Sequence, residues 1–268
     1  MYRQEDMAIA KGPLDTLIYS VRGLPEEELQ YRRRIYAGMV TCMDDGIGQV
    51  MDSLEKRGMA GNTLLFFCSD NGGAPDLGAL NDPLRGSKTS LYDGGVKVPA
   101  FFHWPDHLPS GSDIDHPLHI VDLFPTLVNQ AGGISEKGQP LDGKDIWDTL
   151  TSGKKPPREE ILLNAAPYTG AIRAGDWKLV RNGHIFDCVS TEGEEDRYEL
   201  FNLRADPGEE HDLSSKHPDI LKDLKERLHA YEKQAQQPFQ KTTTWPPPKS
   251  LPDFRLPAPK NWGHANAR

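Results

Sequence analysis

The string SDNGG at positions 69–73 is the part of the sequence best suited to bind a metal ion. Asp70 and Asn71 follow directly after an unbroken apolar run at 63–69, which is typical of a buried β-strand. Ligand sites in open α/β sheets lie at the carboxyl ends of strands. Carboxylate and amide oxygens are hard ligands that suit Ca²⁺ or Mg²⁺. Turns also select Asp, Asn and Gly, so this string alone leaves a simple tight turn as an open alternative.

A second string, PLRGSKTSLYDGGVKVP at positions 83–99, makes the metal interpretation specific. Together with SDNGG it resembles the carboxyl-terminal half of the type I sulfatases, and most closely the arylsulfatase B-like group, which removes sulfate from sugars. Those enzymes follow Asp-Asn-Gly-Gly with Pro-Leu-Arg-Gly-x-Lys-x-Ser-Leu-x-Glu-Gly-Gly-Val-x-Val-Pro. The family Lys lies 18 positions after the Asp, as Lys88 does after Asp70 here. The resemblance covers roughly residues 31–228.

The resemblance implies roles for individual residues of these two strings. Asp70 and Asn71 are expected to be metal ligands, with Ca²⁺ as the expected ion and Mg²⁺ as the alternative. Lys88 is the expected catalytic cation, because a compact ammonium group can bind the oxygens of a sulfate ester. Arg85 is expected to pair with a carboxylate and hold the loop, with contact to the site as an open alternative. Asp93 stands where the family has Glu, a difference expected to concern loop packing.

The nucleophile of the family has no counterpart among the 268 residues. Sulfatases use a formylglycine made from the Cys or Ser of a Cys/Ser-x-Pro/Ala-x-Arg string, and the sequence contains no such string. Cys42, Cys68 and Cys188 each lack Pro or Ala two positions further on. Their odd number allows at most one disulfide and leaves the redox compartment open. Formylglycine is therefore expected only in a missing amino-terminal half.

Two further groups of residues have catalytic or ligating side chains but are expected to be structural. The DDG string at 44–46 is similar to an early metal string of the family, yet it lies within a predicted helix and is not expected to bind metal. His103, His116 and His119 follow Lys88 and match no catalytic position of the family. We expect these histidines to pack at strand ends or in loops.

The sequence therefore predicts a metal-dependent sulfuric-ester hydrolase, an arylsulfatase or sulfated-glycan sulfatase. Without the formylglycine half, the chain alone is expected to be inactive. The alternative from a different class is a non-catalytic module that binds sulfated glycans. A phosphodiesterase of the same alkaline phosphatase-like superfamily is disfavoured, because Asn71 follows the sulfatase pattern. The expected partner is a sulfated sugar or an aryl sulfate ester, joined by the missing half if that half is a separate chain.

Hydrophobic patterns predict the elements that position these residues. A helix is predicted from Pro25 to Gly58, with acids in its first turn. Its apolar face is expected to pack on a sheet and consists of Ile35, Met39, Met43, Ile47, Val50 and Leu54. A strand at 63–69, expected to be buried on both faces, and a strand at 98–102 flank a long loop. Asp122 is predicted to cap the next helix. This order predicts an α/β fold, part of a mixed, mostly parallel sheet flanked by helices, which the resemblance to the alkaline phosphatase-like core also implies.

A smaller region is predicted beyond the polar, proline-bearing connection at 152–157. Short apolar runs separated by turns predict an antiparallel sheet with strands at 161–163, 171–173, 177–180 and 198–203. The segment 220–231 is predicted to be an amphipathic closing helix. The predicted domains are thus residues 1–155 of the α/β core, a small α+β domain at 156–233, and a Pro-rich tail at 234–268.

Composition and charge restrict the partners and the location of the chain. The 31 Lys and Arg against 40 Asp and Glu give a net charge of −9, which disfavours nucleic acid or an anionic membrane as the main partner. No apolar run approaches the roughly 20 residues that cross a bilayer. The first residues, MYRQED, lack the pattern of a signal peptide. The location is unknown from the sequence, although the resemblance implies a secreted, periplasmic or lysosomal complete enzyme.

Overall fold

A computed structural model describes residues 24–134, 140–165, 169–183 and 196–234 of the chain. The helices in this part are α1 (Glu26–Lys56), α2 (Asp93–Val96), α3 (Leu123–Gln130), α4 (Trp147–Ser152) and α5 (Pro218–Glu232). The strands are β1 (Leu65–Cys68), β2 (Ala100–His103), β3 (Glu160–Ala165), β4 (Gly170–Ala174), β5 (Trp177–Arg181) and β6 (Tyr198–Asn202). Short 3₁₀ turns lie at Ala60–Asn62, Pro75–Leu77 and Ile120–Asp122.

Helix α1 forms at the predicted place, but none of the described strands covers its apolar face, which is largely exposed. The helix has three acids in its first turn and ends before Gly58, which adopts a φ of +67°. Met39 is 65% exposed and Val50 is 55% exposed. Periodicity identifies an apolar face, but it cannot tell whether the element that covers this face lies in the same stretch of chain. None of the described helices is long and apolar enough to cross a membrane.

Strand β1 pairs antiparallel with β2 in a two-stranded sheet. Cross-strand ring pairs support the pairing, with centroids 4.6 Å apart for Phe66 and Phe102 and 5.2 Å apart for Phe67 and Phe101. Every residue of β1 is half-buried, so the prediction of burial on both faces is wrong. An apolar run shows what a strand can bury, but not what covers it. All pairings among the described strands are antiparallel, so the expected parallel neighbours of β1 are not among them.

The second half of the chain forms a four-stranded antiparallel sheet in the order β3-β4-β5-β6, as predicted. Helix α5 covers one face, where its buried residues pack in a cluster of Ile172, Leu179, Leu200, Leu224 and Leu228. The opposite face is covered by Leu91 and Tyr92, which pack against Ala171, Val180 and Phe201. This second contact fixes the loop before α2 on the sheet.

Asp122 does not cap α3, contrary to the prediction, because its carboxylate binds donors from other segments. No side-chain capping hydrogen bond is present at the start of α3. The carboxylate of Asp122 is fully buried, accepts from the Lys144 N–H at 2.8 Å and forms an ion pair with Arg158. It also accepts from the His119 N–H at 3.2 Å. A buried charge that is satisfied by donors from three residues ties separate loops together.

His119 has the packing role that was expected of it. Its Nδ1 accepts from the Val121 N–H at 3.2 Å, and its Nε2 lies 3.2 Å from the carbonyl oxygen of Leu162. Burial lowers the pKa of His119. A neutral ring with the proton on Nε2 satisfies both contacts, so this histidine links the turn before α3 to β3.

The exposed face of α1 predicts self-association of the 268-residue chain. Replacing Met39, Met43 and Val50 together by Glu should reduce association and dye binding, because charges would interrupt a contiguous apolar surface. The matched control is Thr41→Glu, which adds a charge on the opposite, exposed side of α1. Analytical ultracentrifugation measures the association, and the fluorescence of a bound hydrophobic dye measures the exposed apolar surface. A monodisperse monomer with one sharp unfolding transition in the unmodified chain would contradict the prediction.

Candidate active site

The two strings that carry the expected site residues meet at α2. The Gly72 N–H donates to the Gly95 carbonyl oxygen at 2.9 Å, and the Gly94 N–H donates to the Arg85 carbonyl oxygen at 2.7 Å. A Cβ atom on Gly72 would overlap the carbonyl oxygen of Gly94. Glycine is therefore required here by the close approach of two backbones. The turn after β1 and the turn that carries Lys88 share α2 as a common support.

A second connection joins the two strings directly. The Lys88 N–H donates to the Gly73 carbonyl oxygen at 3.0 Å. The Asn81 side chain accepts from the Gly73 N–H at 2.8 Å and donates to the carbonyl oxygens of Gly73 at 3.0 Å and Gly86 at 3.2 Å. One amide side chain thus satisfies backbone groups on both turns, which fixes their spacing.

The expected site residues Asp70, Asn71 and Lys88 are brought together at the level of the backbone. Asp70 is exposed directly after β1, while Asn71 and Lys88 are half-buried. The Asn71 Nδ2 donates to the Gly72 carbonyl oxygen at 2.9 Å. Within the described residues, the Asp70 carboxylate and the Lys88 ammonium have no side-chain partner. Convergence of the three side chains on one point stays a prediction.

A metal ion at this place would need ligands besides those of the two strings. The described residues contain no group of three or more His, Cys, Asp or Glu that could hold a metal ion. Asp44 and Asp45 lie in the middle of α1, within the predicted helix, and their side chains are exposed. As predicted ligands, Asp70 and Asn71 would supply only two of the ligand groups, whereas Ca²⁺ takes six to eight oxygen ligands.

Arg85 holds the loop, as predicted. Its Nη1 lies 3.3 Å from a carboxylate oxygen of Glu199 and donates to the carbonyl oxygen of Glu209 at 3.0 Å. The guanidinium carbon lies 3.9 Å from the centroid of the Tyr92 ring, a cation–π contact. The Tyr92 hydroxyl donates to Glu199, and burial together with this contact raises the pKa of Tyr92. Arg85 thus ties the loop to β6.

Asp93 belongs to a buried ion network, which agrees with the expected packing role. The Lys178 Nζ lies 2.6 Å from Asp93 and 2.8 Å from Glu209. The Asp93 N–H donates to the other carboxylate oxygen of Glu209 at 2.6 Å. The side chains of Lys178 and Glu209 have no exposed surface. Burial raises the pKa of the Glu209 carboxyl, and the ammonium of Lys178 opposes that rise.

Sequence reasoning missed Asn81, Lys178, Glu199 and Glu209, all of which position the loop. Lys178 carried a usable signal, because it is a charged residue within the apolar run of a predicted strand and a buried charge needs a partner. Glu209 gave no signal, since it lies in a polar stretch typical of a solvated turn. Only the three-dimensional contacts assign it to the network.

Comparison with known proteins identifies the family. Residues 6–134 match the sulfatase family model, and residues 87–234 match the model described as N-sulphoglucosamine sulphohydrolase, C-terminal. The chain belongs to the sulfatase family. This sulfatase chain is 35% identical over 245 residues to arylsulfatase J of Mus musculus. The match covers 77% of this chain and 41% of that protein. It is 32% identical over 207 residues to N-acetylgalactosamine-6-sulfatase of Homo sapiens. That match covers 68% of this chain and 40% of the human protein.

Similar solved structures confirm the predicted α/β, alkaline phosphatase-like class of fold. The sulfatase chain matches the crystal structure of Ps i-CgsB in complex with k-i-k-neocarrahexaose with a TM-score of 0.67 and 33% identity. That match covers 80% of this chain and 48% of the solved chain. The sulfatase chain spans about 40% of the length of the curated relatives it matches.

The close approach of Gly72 to Gly94 predicts a strong effect of a single methyl group. Gly72→Ala should open the contact between the two turns, since a Cβ cannot fit against the Gly94 carbonyl oxygen. The expected cost is about 1–3 kcal/mol for overpacking, with faster hydrogen exchange at the Lys88 amide. Gly61→Ala is the matched control, because no atom lies within 4 Å of the added Cβ. Unchanged exchange at Lys88 in Gly72→Ala would show that the contact does not hold the turns.

Proposed function

We propose that this chain supplies the metal-binding and cationic part of the active site of a sulfuric-ester hydrolase. The observation that carries the proposal is the hydrogen bond from the Lys88 N–H to the Gly73 carbonyl oxygen, which joins the expected metal string to the expected cation string. Membership of the sulfatase family supports the assignment of the reaction class. The proposed function of the complete protein is the hydrolysis of sulfate esters.

Asp70 and Asn71 fit the requirements for holding Ca²⁺, with Mg²⁺ as the alternative ion. Both supply hard oxygen donors at the end of β1, and the Asp70 carboxylate is exposed without another partner among the described residues. A bound divalent cation would hold a sulfate ester and offset the negative charge that develops during cleavage.

Lys88 is assigned to the oxygens of the ester. Its ammonium group has no ion-pair partner within the described residues, so its charge is available for an anionic substrate. The backbone of Lys88 is fixed by Gly73, while the flexible stem lets the ammonium follow the leaving oxygen. A positioned cation stabilises the negative charge that develops on that oxygen.

The nucleophile is assigned to residues outside the given sequence. None of the 268 residues lies in a Cys/Ser-x-Pro/Ala-x-Arg string, from which a formylglycine would be made. We propose that the formylglycine segment precedes these residues in the complete protein or belongs to a separate chain. The names of the relatives support a sulfated sugar or an aryl sulfate as substrate. A secreted, periplasmic or lysosomal location for the complete enzyme stays an expectation from the family resemblance.

The 268-residue chain alone should bind Ca²⁺ weakly and should not hydrolyse nitrophenyl sulfate. Two protein ligands leave most of the coordination sphere to water, and no residue can become the nucleophile. Isothermal titration calorimetry measures the binding, and release of nitrophenol measures turnover. Turnover by the chain alone, abolished by Lys88→Ala, would contradict the assignment of the nucleophile.

A chimera tests the assigned roles of the residues. The amino-terminal part of arylsulfatase J, fused before this chain in a host that makes formylglycine, should bind Ca²⁺ tightly and hydrolyse nitrophenyl sulfate. Asp70→Ala should then remove metal and activity together. Lys88→Ala should retain the metal but lower kcat by about 10²–10³-fold, the usual effect of removing an oxyanion-stabilising group. Metal content and kcat measure the two effects separately.

The chimera also distinguishes the alternative function. Asp113→Ala and Lys97→Ala are matched controls, because both residues are exposed and lie outside the two turns. They should leave metal content and kcat unchanged. An active chimera whose metal content is unaffected by Asp70→Ala would disprove the ligand assignment. A chimera that binds sulfated glycans through Lys88 but turns over no ester would favour the non-catalytic binding module.

A further inference from the structure

We propose that Lys178 is a positioning residue for the site, which acts through Asp93 to hold α2 where the two site turns meet. The proposal rests on the proposed function, since it assigns a role in supporting Asp70, Asn71 and Lys88. None of these three contacts Lys178 directly. The network places β5, in the second half of the chain, among the elements that build the site.

A continuous series of short contacts connects Lys178 to both turns. The Lys178 Nζ lies 2.6 Å from Asp93, the first residue of α2. The next residue, Gly94, donates its N–H to the Arg85 carbonyl oxygen, three residues before Lys88. Gly95 accepts from the N–H of Gly72, the residue after Asn71. The four-residue helix α2 therefore binds Lys178 through its first residue. Its next two residues form backbone hydrogen bonds to the two site turns.

Among the described residues, the ion-pair partners of Lys178 are Asp93 and Glu209. Its ammonium has no exposed surface and lies between the carboxylates of Asp93 and Glu209. Buried ion pairs contribute little net stability compared with apolar residues of the same volume, because desolvation offsets the attraction. A network of this kind is better explained by the geometry it imposes. Lys178 and Val180 face the loop, whereas Leu179 between them faces α5.

The backbone of Glu209 supports the same conclusion. Glu209 has a φ of +52°, in the left-handed region that residues with a side chain rarely adopt. Such a conformation persists only where the surroundings determine it. Its carboxylate binds both the Lys178 ammonium and the Asp93 N–H, so two members of the network hold it in place.

Hydrogen exchange of the 268-residue chain, followed residue by residue by NMR, tests the proposal. In Lys178→Met, the Gly72, Lys88 and Gly94 amides should accelerate at least about tenfold more than the amides of the β4–β5 ladder. The loss of global stability accelerates both groups, whereas the loss of the α2 anchor accelerates only the turns. Arg181→Met is the matched control, because it removes another buried cation from β5 that pairs with Glu232 of α5 at 2.8 Å. This control should leave the two site turns unchanged.

Glu209→Gln keeps the test decisive if Lys178→Met fails to fold. The amide oxygen of Gln can still accept from the Asp93 N–H, so a smaller acceleration confined to the two turns is expected. Equal acceleration of turns and ladder, or no acceleration at the turns, would overturn the proposal.

The exchange is measured without metal or ester, so this test of Lys178 remains valid if Asp70→Ala leaves the metal content of the chimera unchanged. That result would disprove the proposed function alone.

Discussion

One buried ammonium group constrains much of the described structure. Lys178 has no exposed surface, so its charge requires carboxylates that come from distant parts of the chain. Removing one partner of such a buried pair typically costs about 3–5 kcal/mol, because a charge is left uncompensated. An exposed pair such as Lys154 and Asp148 contributes only about 0–1 kcal/mol. The sheet of the second half therefore determines where the loop of the first half lies.

The loop can use this anchor because its own backbone contacts exclude side chains. Gly72 and Gly94 approach so closely that a methyl group on either would meet a carbonyl oxygen. Arg85 adds a second attachment through Glu199, stacked on the Tyr92 ring. The result is a loop with little freedom of its own. It presents Asp70 and Lys88, whose side chains have no partner among the described residues. Rigid presentation of that kind is what binding and orienting an anion requires.

The sequence predicts local elements well and long-range neighbours poorly. The helix from Glu26, the four strands of the second half and α5 follow from periodicity and turn residues, which are local properties. The covering of the α1 face and the strands beside β1 depend on elements that periodicity does not specify. Asp122 illustrates the same limit, because its position before a helix predicts a cap while its burial makes it bind Arg158.

The residues of the candidate site also divide into those that the sequence identifies and those that only the structure identifies. Asp70, Asn71 and Lys88 were assigned by resemblance to a family, and the structure brings their backbones together without testing their roles. The loop-holding role of Arg85 is confirmed by its contacts, whereas Glu209 is identified only by its burial. The domain boundaries near residues 155 and 233 stay predictions. Most of the Pro-rich tail, from residue 235, lies outside the described residues.

Paramagnetic NMR of the 268-residue chain tests most directly whether the two turns form one metal-centred site. A lanthanide ion, which replaces Ca²⁺ in oxygen-ligand sites, should broaden the amide signals of Asn71, Gly72 and Lys88 at the lowest concentrations, and excess Ca²⁺ should reverse the broadening. Weak binding suffices, because the effect depends on distance to the ion. Broadening centred on Asp44 and Asp45 of α1, or at Asn71 without Lys88, would contradict a shared site.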